Sequence, residues 1–284
     1  MYGKTDGPDF RGIEGYEDHA VEVLFFWNAK DELIATAINV PCPSQEVESR
    51  SAVNADFWHQ VRTTLQERHG ADLKVLGWTG ASGDQSPHLM FRKAAEERMR
   101  ELRGLDRLEE LARRIVNAWE VAYEGAKQDI HADVVFIHKV KEINLPVRQV
   151  TQEEYEDAKA NIEKLTDPKD QPRQRWYQRV VTRFESQKPE DTDSMELHAI
   201  RLGDIAIATN QFELFTDYGI QMKSRSKALQ TFIIQLAGPG SYLPTERAVA
   251  GGGYSAVVAS SRIGPKGGQV LVDETVELVN SLWE

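Results

Sequence analysis

Short β-branched and aromatic runs alternate along this chain with longer stretches of helical periodicity. That alternation dictates layers, because a strand has one face and a helix one stripe that must be buried against another element. Residues 20–27 (AVEVLFFW) and 33–40 (LIATAINV), joined by Asn28-Ala29-Lys30-Asp31, read as a hairpin of two well-buried strands. Asn54 is the expected N-cap of a helix reaching His69, with Phe57, Val61 and Leu65 at i, i+4 and i+8, closed by Gly70. Residues 73–79 form the next strand and run into 80–87 (GASGDQSP), a tight loop expected to open a helical region with Ser86 at its N-terminus.

The stretch 91–130 reads as helical throughout, its apolar stripe built on Leu108, Leu111, Ile115, Val116, Trp119 and Tyr123. Between Arg92 and Arg114 the 8 basic and 6 acidic residues interleave, as on a solvated face with i,i+4 pairs and unlike a nucleic-acid surface. A strand over 134–145 precedes the capping box Thr151-Gln152-Glu153-Glu154, which opens a helix reaching Leu165. Residues 166–194, polar and carrying Pro168, Pro172 and Pro189, read as an insertion-like excursion with one helix over 176–184. Strands 197–201 and 205–209 pair as a hairpin. A helix over 213–223, a buried strand over 231–236 and an amphipathic helix over 268–283 complete the chain. The fold class is α/β: a layered domain with a mixed β-sheet flanked by helices, one long helical stretch at about 90–130, and a single domain over 1–284.

Composition removes several classes of function. With 34 Lys+Arg against 45 Asp+Glu, a formal charge of −11, the chain lacks the basic surface a general nucleic-acid binder needs. Its single cysteine, Cys42, excludes an internal disulfide and a Cys-only zinc site. No apolar run approaches the roughly 18 residues of a membrane-spanning helix. The N-terminus has no basic region followed by an apolar one, so no signal peptide is read. Taken literally this leaves the chain in the cytoplasm; the alternative is that the chain begins inside a longer protein.

Four loops that follow strands carry chemistry-capable residues, and open α/β sheets place ligands at such strand ends. Ser86 precedes Pro87, a cap-and-N1 pair that is also an anion-favouring position. Glu213 stands at a strand-to-helix junction, where a carboxylate can ligate metal, act as a base or favour the helix dipole. The glycine-rich stretch 237–254 contains Tyr242 and Tyr254 but neither a Walker lysine nor GxGxxG, so nucleotide binding has little support. Cys42 lies between Pro41 and Pro43 in a stiff loop, as a buried small hydrophobe or a shaped-site residue.

The segment Gly83-Asp84-Gln85-Ser86-Pro87 resembles the GDxSP loop of the neutral/alkaline, non-lysosomal ceramidases, whose serine is essential for amide hydrolysis. Glu213 with Phe215-Thr216 is similar to that family's zinc-ligating glutamate motif, and Tyr242-Leu243-Pro244-Thr245 to its Tyr-x-x-Thr stretch, whose tyrosine completes the zinc site. Tyr254 falls where the family has a second tyrosine near the reacting carbonyl. The order and spacing match over 20–284, poorly within 130–195, and correspond to the C-terminal part of the family's catalytic domain.

The resemblance implies a zinc-dependent amidohydrolase of lipid metabolism, with Ser86 and Tyr254 catalytic and Glu213 and Tyr242 on the metal. Its substrate would be a lipid-like N-acyl amide, ceramide or a relative, and its full-length relatives are expected to be secreted or periplasmic. Two departures qualify this. Cys42 stands where the family has a histidine ligand, as a replacement ligand or as a sign of a different metal or none. The family's His-Thr-His segment is not among the seven histidines here, so a missing N-terminal segment of the same protein is an expected partner. The alternative reading is a metal-free, non-catalytic relative that binds a ligand or partner. An ordinary serine hydrolase using Ser86 and His88 is disfavoured, since residues two apart at a helix start do not face one another.

Overall fold

The computed structural model describes residues 5–284, so the sequence reading of residues 1–4 lies outside the described residues. β1 (Glu22–Trp27) and β2 (Leu33–Val40) form the antiparallel hairpin, and β3 (Lys74–Thr79) pairs parallel to β2 after a crossover through α1 (Phe57–His69). The α1 cap is Asp56, not Asn54: Asp56 accepts from Phe57 N–H, and Asn54 instead accepts from Asp56 N–H. Asp56 also accepts from Val47 N–H, so the cap doubles as an anchor for the preceding loop.

The long helical stretch divides into α2 (Lys93–Arg103) and α3 (Arg107–Ala126). Gly104 closes α2 in the left-handed conformation, and Asp106 with Glu109 makes a capping box for α3. Both signals interrupt an otherwise helical pattern, and the turn swings α3 onto the sheet. There Phe57, Leu65, Ile38 and Trp119 are fully enclosed, and the Trp119 indole N–H donates to Thr36 Oγ1 at 2.9 Å.

A second layer follows. β4 (Phe136–Pro146), β5 (Thr192–Leu202), β6 (Ile205–Thr209) and β8 (Gln230–Ile234) form a sheet in the order β4-β5-β6-β8, parallel only between β6 and β8. α6 (Thr216–Arg225) and α8 (Pro265–Asn280) pack on it around Leu145, Leu197, Leu271 and Val272. Between β4 and β5, α4 (Gln152–Lys164) and α5 (Gln171–Ser186) make a helical arm with its own apolar cluster of Val150, Ala158, Val180, Val181 and Val258. The polar stretch 166–194 is therefore mainly α5, one helix of this packed pair, and ends in the start of β5. Glu213 is not in a helix: β7 (Glu213–Leu214) pairs parallel with β9 (Tyr242–Leu243), followed by α7 (Glu246–Gly251). The layered α/β architecture holds, with the strands divided among three sheets among the described residues.

Candidate active site

The ends of β2, β3, β6 and β8 meet, as the loop positions imply. Gly80 N–H donates to Val40 O at 2.8 Å, joining the ends of β3 and β2. Gln235 N–H donates to Thr79 O at 3.0 Å and Asn210 N–H to Ile234 O at 2.9 Å, bringing in β8 and β6. Asn39 Nδ2 donates to Ile233 O at 3.0 Å, a second tie between the two large sheets.

Gln235, unmarked in the sequence reading, organises this junction. Its Oε1 accepts from Ser82 N–H (3.1 Å) and Leu214 N–H (3.0 Å), and its Nε2 donates to Ser82 Oγ (3.2 Å). One buried amide thus supplies partners to the loop 80–87 and to β7 together, which buried backbone polar groups require. The available signal was a glutamine ending the apolar run Thr231-Phe232-Ile233-Ile234.

The loop then lies directly on β7. Gly83 N–H donates to Leu214 O at 2.7 Å, and a Cβ on Gly83 would stand 2.2 Å from Glu213 O, so only glycine permits this approach. Asp84 Oδ1 accepts from both Thr216 N–H (2.8 Å) and Thr216 Oγ1 (2.7 Å). Burial raises the Asp84 carboxyl above its ordinary value, and these two hydrogen bonds pull it back. Asp84 therefore caps the start of α6, and through it holds the serine loop to the Glu213 segment.

Pairing of β7 with β9 sets Glu213 opposite Tyr242, and the Tyr242 hydroxyl donates to the Glu213 carboxylate. Desolvation raises the Glu213 carboxyl above its ordinary value, with the Tyr242 hydrogen bond opposing it. The Tyr254 ring stands edge-on to Tyr242 at 6.0 Å and parallel to Trp176 of α5 at 6.0 Å. The helical arm thus reaches the site, and the aromatics Tyr242, Tyr254 and Trp176 form a wall beside the carboxylate. In the sequence, Trp176 stands beside Tyr177 in an otherwise polar stretch, and that aromatic pair is the signal available for it.

Ser86 is not at a helix N-terminus, because α2 begins only at Lys93. It lies in an irregular loop where, contrary to the sequence reading, its Oγ is 3.0 Å from His88 Nδ1. Helical spacing keeps residues two apart on different faces, but an irregular backbone carries no such restriction. Cys42 packs against the first core, and its thiol is pushed up to about 12 by burial and then by the Asp56 and Glu46 charges. That environment favours the protonated thiol over a ligating thiolate. Among the described residues, no group of three or more His, Cys, Asp or Glu side chains is placed to hold a metal ion. No helix among them is long and apolar enough to cross a membrane.

No family model matches the sequence, and no curated protein is similar to it at the sequence level. The fold is nevertheless that of known structures. Neutral ceramidase from Pseudomonas aeruginosa superposes with a TM-score of 0.65 at 16% identity, over 97% of this chain and 48% of that one. A ceramidase complexed with C2 superposes with a TM-score of 0.64 at 13% identity, over 98% of this chain and 50% of that one. This chain has a ceramidase-like fold and spans about half the length of those neighbours.

Proposed function

We propose that this chain carries part of the site of a ceramidase-like, zinc-dependent amidohydrolase that cleaves the N-acyl bond of ceramide or a related lipid amide. The observation that supports it is the β7–β9 pairing, which sets the Glu213 carboxylate against the Tyr242 hydroxyl beneath the loop that leads to Ser86. Glu213 and Tyr242 are oxygen donors of a kind zinc accepts, and a desolvated carboxylate with a raised pKa gains from a nearby cation. A catalytic zinc takes three protein ligands, so these two need a further donor. We place that donor in the half of the ceramidase fold this chain does not span.

Bound there, zinc would supply Lewis-acid polarisation of the amide carbonyl and a water of lowered pKa. The chain's own residues do the rest. Tyr254 Oη donates a hydrogen bond to the oxygen that gains charge as the carbonyl becomes tetrahedral. The Ser86 hydroxyl positions or attacks that carbonyl. The wall of Tyr242, Tyr254 and Trp176 gives the lipid-like part of the substrate an apolar surface.

Zinc stoichiometry and cleavage of a fluorescent short-chain ceramide test this, using the chain alone and the chain joined to an upstream ceramidase half. Metal-dependent turnover should appear in the joined protein and be lost in Ser86→Ala and Glu213→Ala. A joined protein that is folded, zinc-free and inactive refutes the proposal. The second reading, a metal-free binding relative, is favoured by the protonated, core-packed Cys42. Under it, ligand binding survives Glu213→Ala and Tyr242→Phe.

A further inference from the structure

The Ser86 hydroxyl is held in a geometry that the zinc reading does not use. Its Oγ lies 3.0 Å from His88 Nδ1, and His88 Nε2 lies 3.2 Å from the backbone oxygen of Glu46. A carbonyl only accepts, so this contact puts the imidazole proton on Nε2 and leaves the Nδ1 lone pair facing the serine O–H. The backbone N–H of His88 donates to the same Oγ at 3.2 Å, where it stabilises negative charge as the proton leaves. Nucleophile, base and an acceptor that orients the base are thus in sequence, the arrangement that activates a serine without a metal.

His88 also lines a cleft of about 320 Å³ with Leu89, Lys93, Arg100, Arg107 and two glutamates, Glu46 and Glu97. Glu46 is engaged by Arg107 at 3.2 Å, and Lys93 and Arg100 share the lining with Glu97. Two guanidinium nitrogens here, Arg100 Nε and Arg107 Nη1, and one carboxylate oxygen, Glu46 Oε2, are buried with no hydrogen-bond partner among the described residues. Buried donors without acceptors are costly, and the oxygens of an anionic group would satisfy them.

We propose that Ser86 and His88 form a metal-independent acyl-transfer dyad acting on esters whose acyl group carries an anionic terminus, which docks against Arg100 and Arg107. His88 Nδ1 takes the Ser86 proton as Oγ attacks the ester carbonyl. The tetrahedral adduct collapses with cleavage of the ester C–O bond, and the Nδ1 proton passes to the departing alkoxide. In deacylation His88 takes a proton from water, hydroxide adds to the acyl-serine carbonyl, and Oγ leaves with that proton, releasing the carboxylic acid.

The test incubates the folded chain, in EDTA, with mono-4-nitrophenyl adipate and separately with 4-nitrophenyl hexanoate. Nitrophenolate release and peptide mass mapping are followed together. The expected result is a nitrophenolate burst with an adipoyl adduct on Ser86, faster than hexanoylation by about tenfold, the discrimination expected of a charge-assisted hydrogen bond. Ser86→Ala should abolish the adduct and His88→Asn slow acylation by about a hundredfold or more. Arg100→Gln should draw the adipate-to-hexanoate ratio towards one. A wild-type chain that leaves Ser86 unmodified by both esters overturns the dyad, whatever the variants do. Equal rates with the two esters overturn the anionic-substrate assignment. Because zinc is chelated throughout, failure here and failure of the amidohydrolase proposal are separate results.

Discussion

Replacing Gly83 by alanine tests whether the serine loop rests on the backbone of Glu213. An added Cβ would stand 2.2 Å from Glu213 O, 2.6 Å from Glu213 C and 3.2 Å from Leu214 C. These are backbone atoms of a strand held on its other edge by Glu213 N–H to Ser241 O (3.1 Å) and Phe215 N–H to Leu243 O (3.3 Å). No rotamer change relieves the overlap, so either the loop lifts or β7 shifts. Overpacking of this kind costs about 1–3 kcal/mol. Loss of the 2.7 Å bond from Gly83 N–H to Leu214 O adds about 0.5–1.5 kcal/mol. The total is about 2–4 kcal/mol, which for a chain of this size lowers Tm by about 4–8 °C. Urea unfolding of wild type, Gly83→Ala and Gly253→Ala measures it. Gly253 has nothing within 4 Å of a Cβ, so its variant should stay within about 0.5 kcal/mol of wild type. A Gly83→Ala chain as stable as Gly253→Ala would refute the packing on which the site rests.

Other outcomes follow from single groups. Glu110 is fully enclosed among Arg103, Arg113 and Arg114, and the hydrogen bonds from Arg113 and Arg114 outweigh its desolvation and lower its pKa from 4.5 to about 2. A depressed acid stabilises the fold above its unfolded pKa and loses that contribution as pH falls from about 4.5 towards 2. Glu110→Gln should therefore cost about 3 kcal/mol at pH 7 and only about 1 kcal/mol at pH 3 in urea unfolding; a pH-independent difference would remove the ionic explanation. With its thiol near 12 instead of 9, Cys42 should react with iodoacetamide at pH 8 about a thousandfold more slowly in the folded chain than in urea. Comparable rates would mean an accessible thiolate. Gln235→Leu strands the buried N–H groups of Ser82 and Leu214 and should cost about 2–4 kcal/mol. It should also expose the loop 80–87 to hydrogen exchange, and unchanged protection there would show that Gln235 does not hold the loop.

The elements were largely legible because their signals are local. The hairpin of β1 and β2, the α1 stripe, the Thr151–Glu154 capping box and the β5–β6 hairpin each depend on residues a few positions apart. The readings that failed are those in which a local signal had two meanings. Ser86-Pro87 has the form of a helix start, yet the helix begins at Lys93. Glu213-Leu214 continues a helical pattern, yet the pair is drawn into a strand by Tyr242-Leu243, 29 residues on in the sequence. In that case the backbone partner decided, not the propensity.

The sequence by itself determined the layered α/β class, the placement of glycine-rich loops at strand ends and the residue types available for chemistry there. Those follow from periodicity and from the backbone freedom of glycine, which need no partner. Only the tertiary structure decided which side chains meet: Glu213 with Tyr242, Tyr254 with Trp176, Ser86 with His88, and Gln235 between two loops. Apart from Ser86 and His88, neighbours in one irregular loop, these contacts join segments whose separation in sequence carries no pairing signal. Hydrogen-bond satisfaction and close packing at the meeting point of two sheets select them.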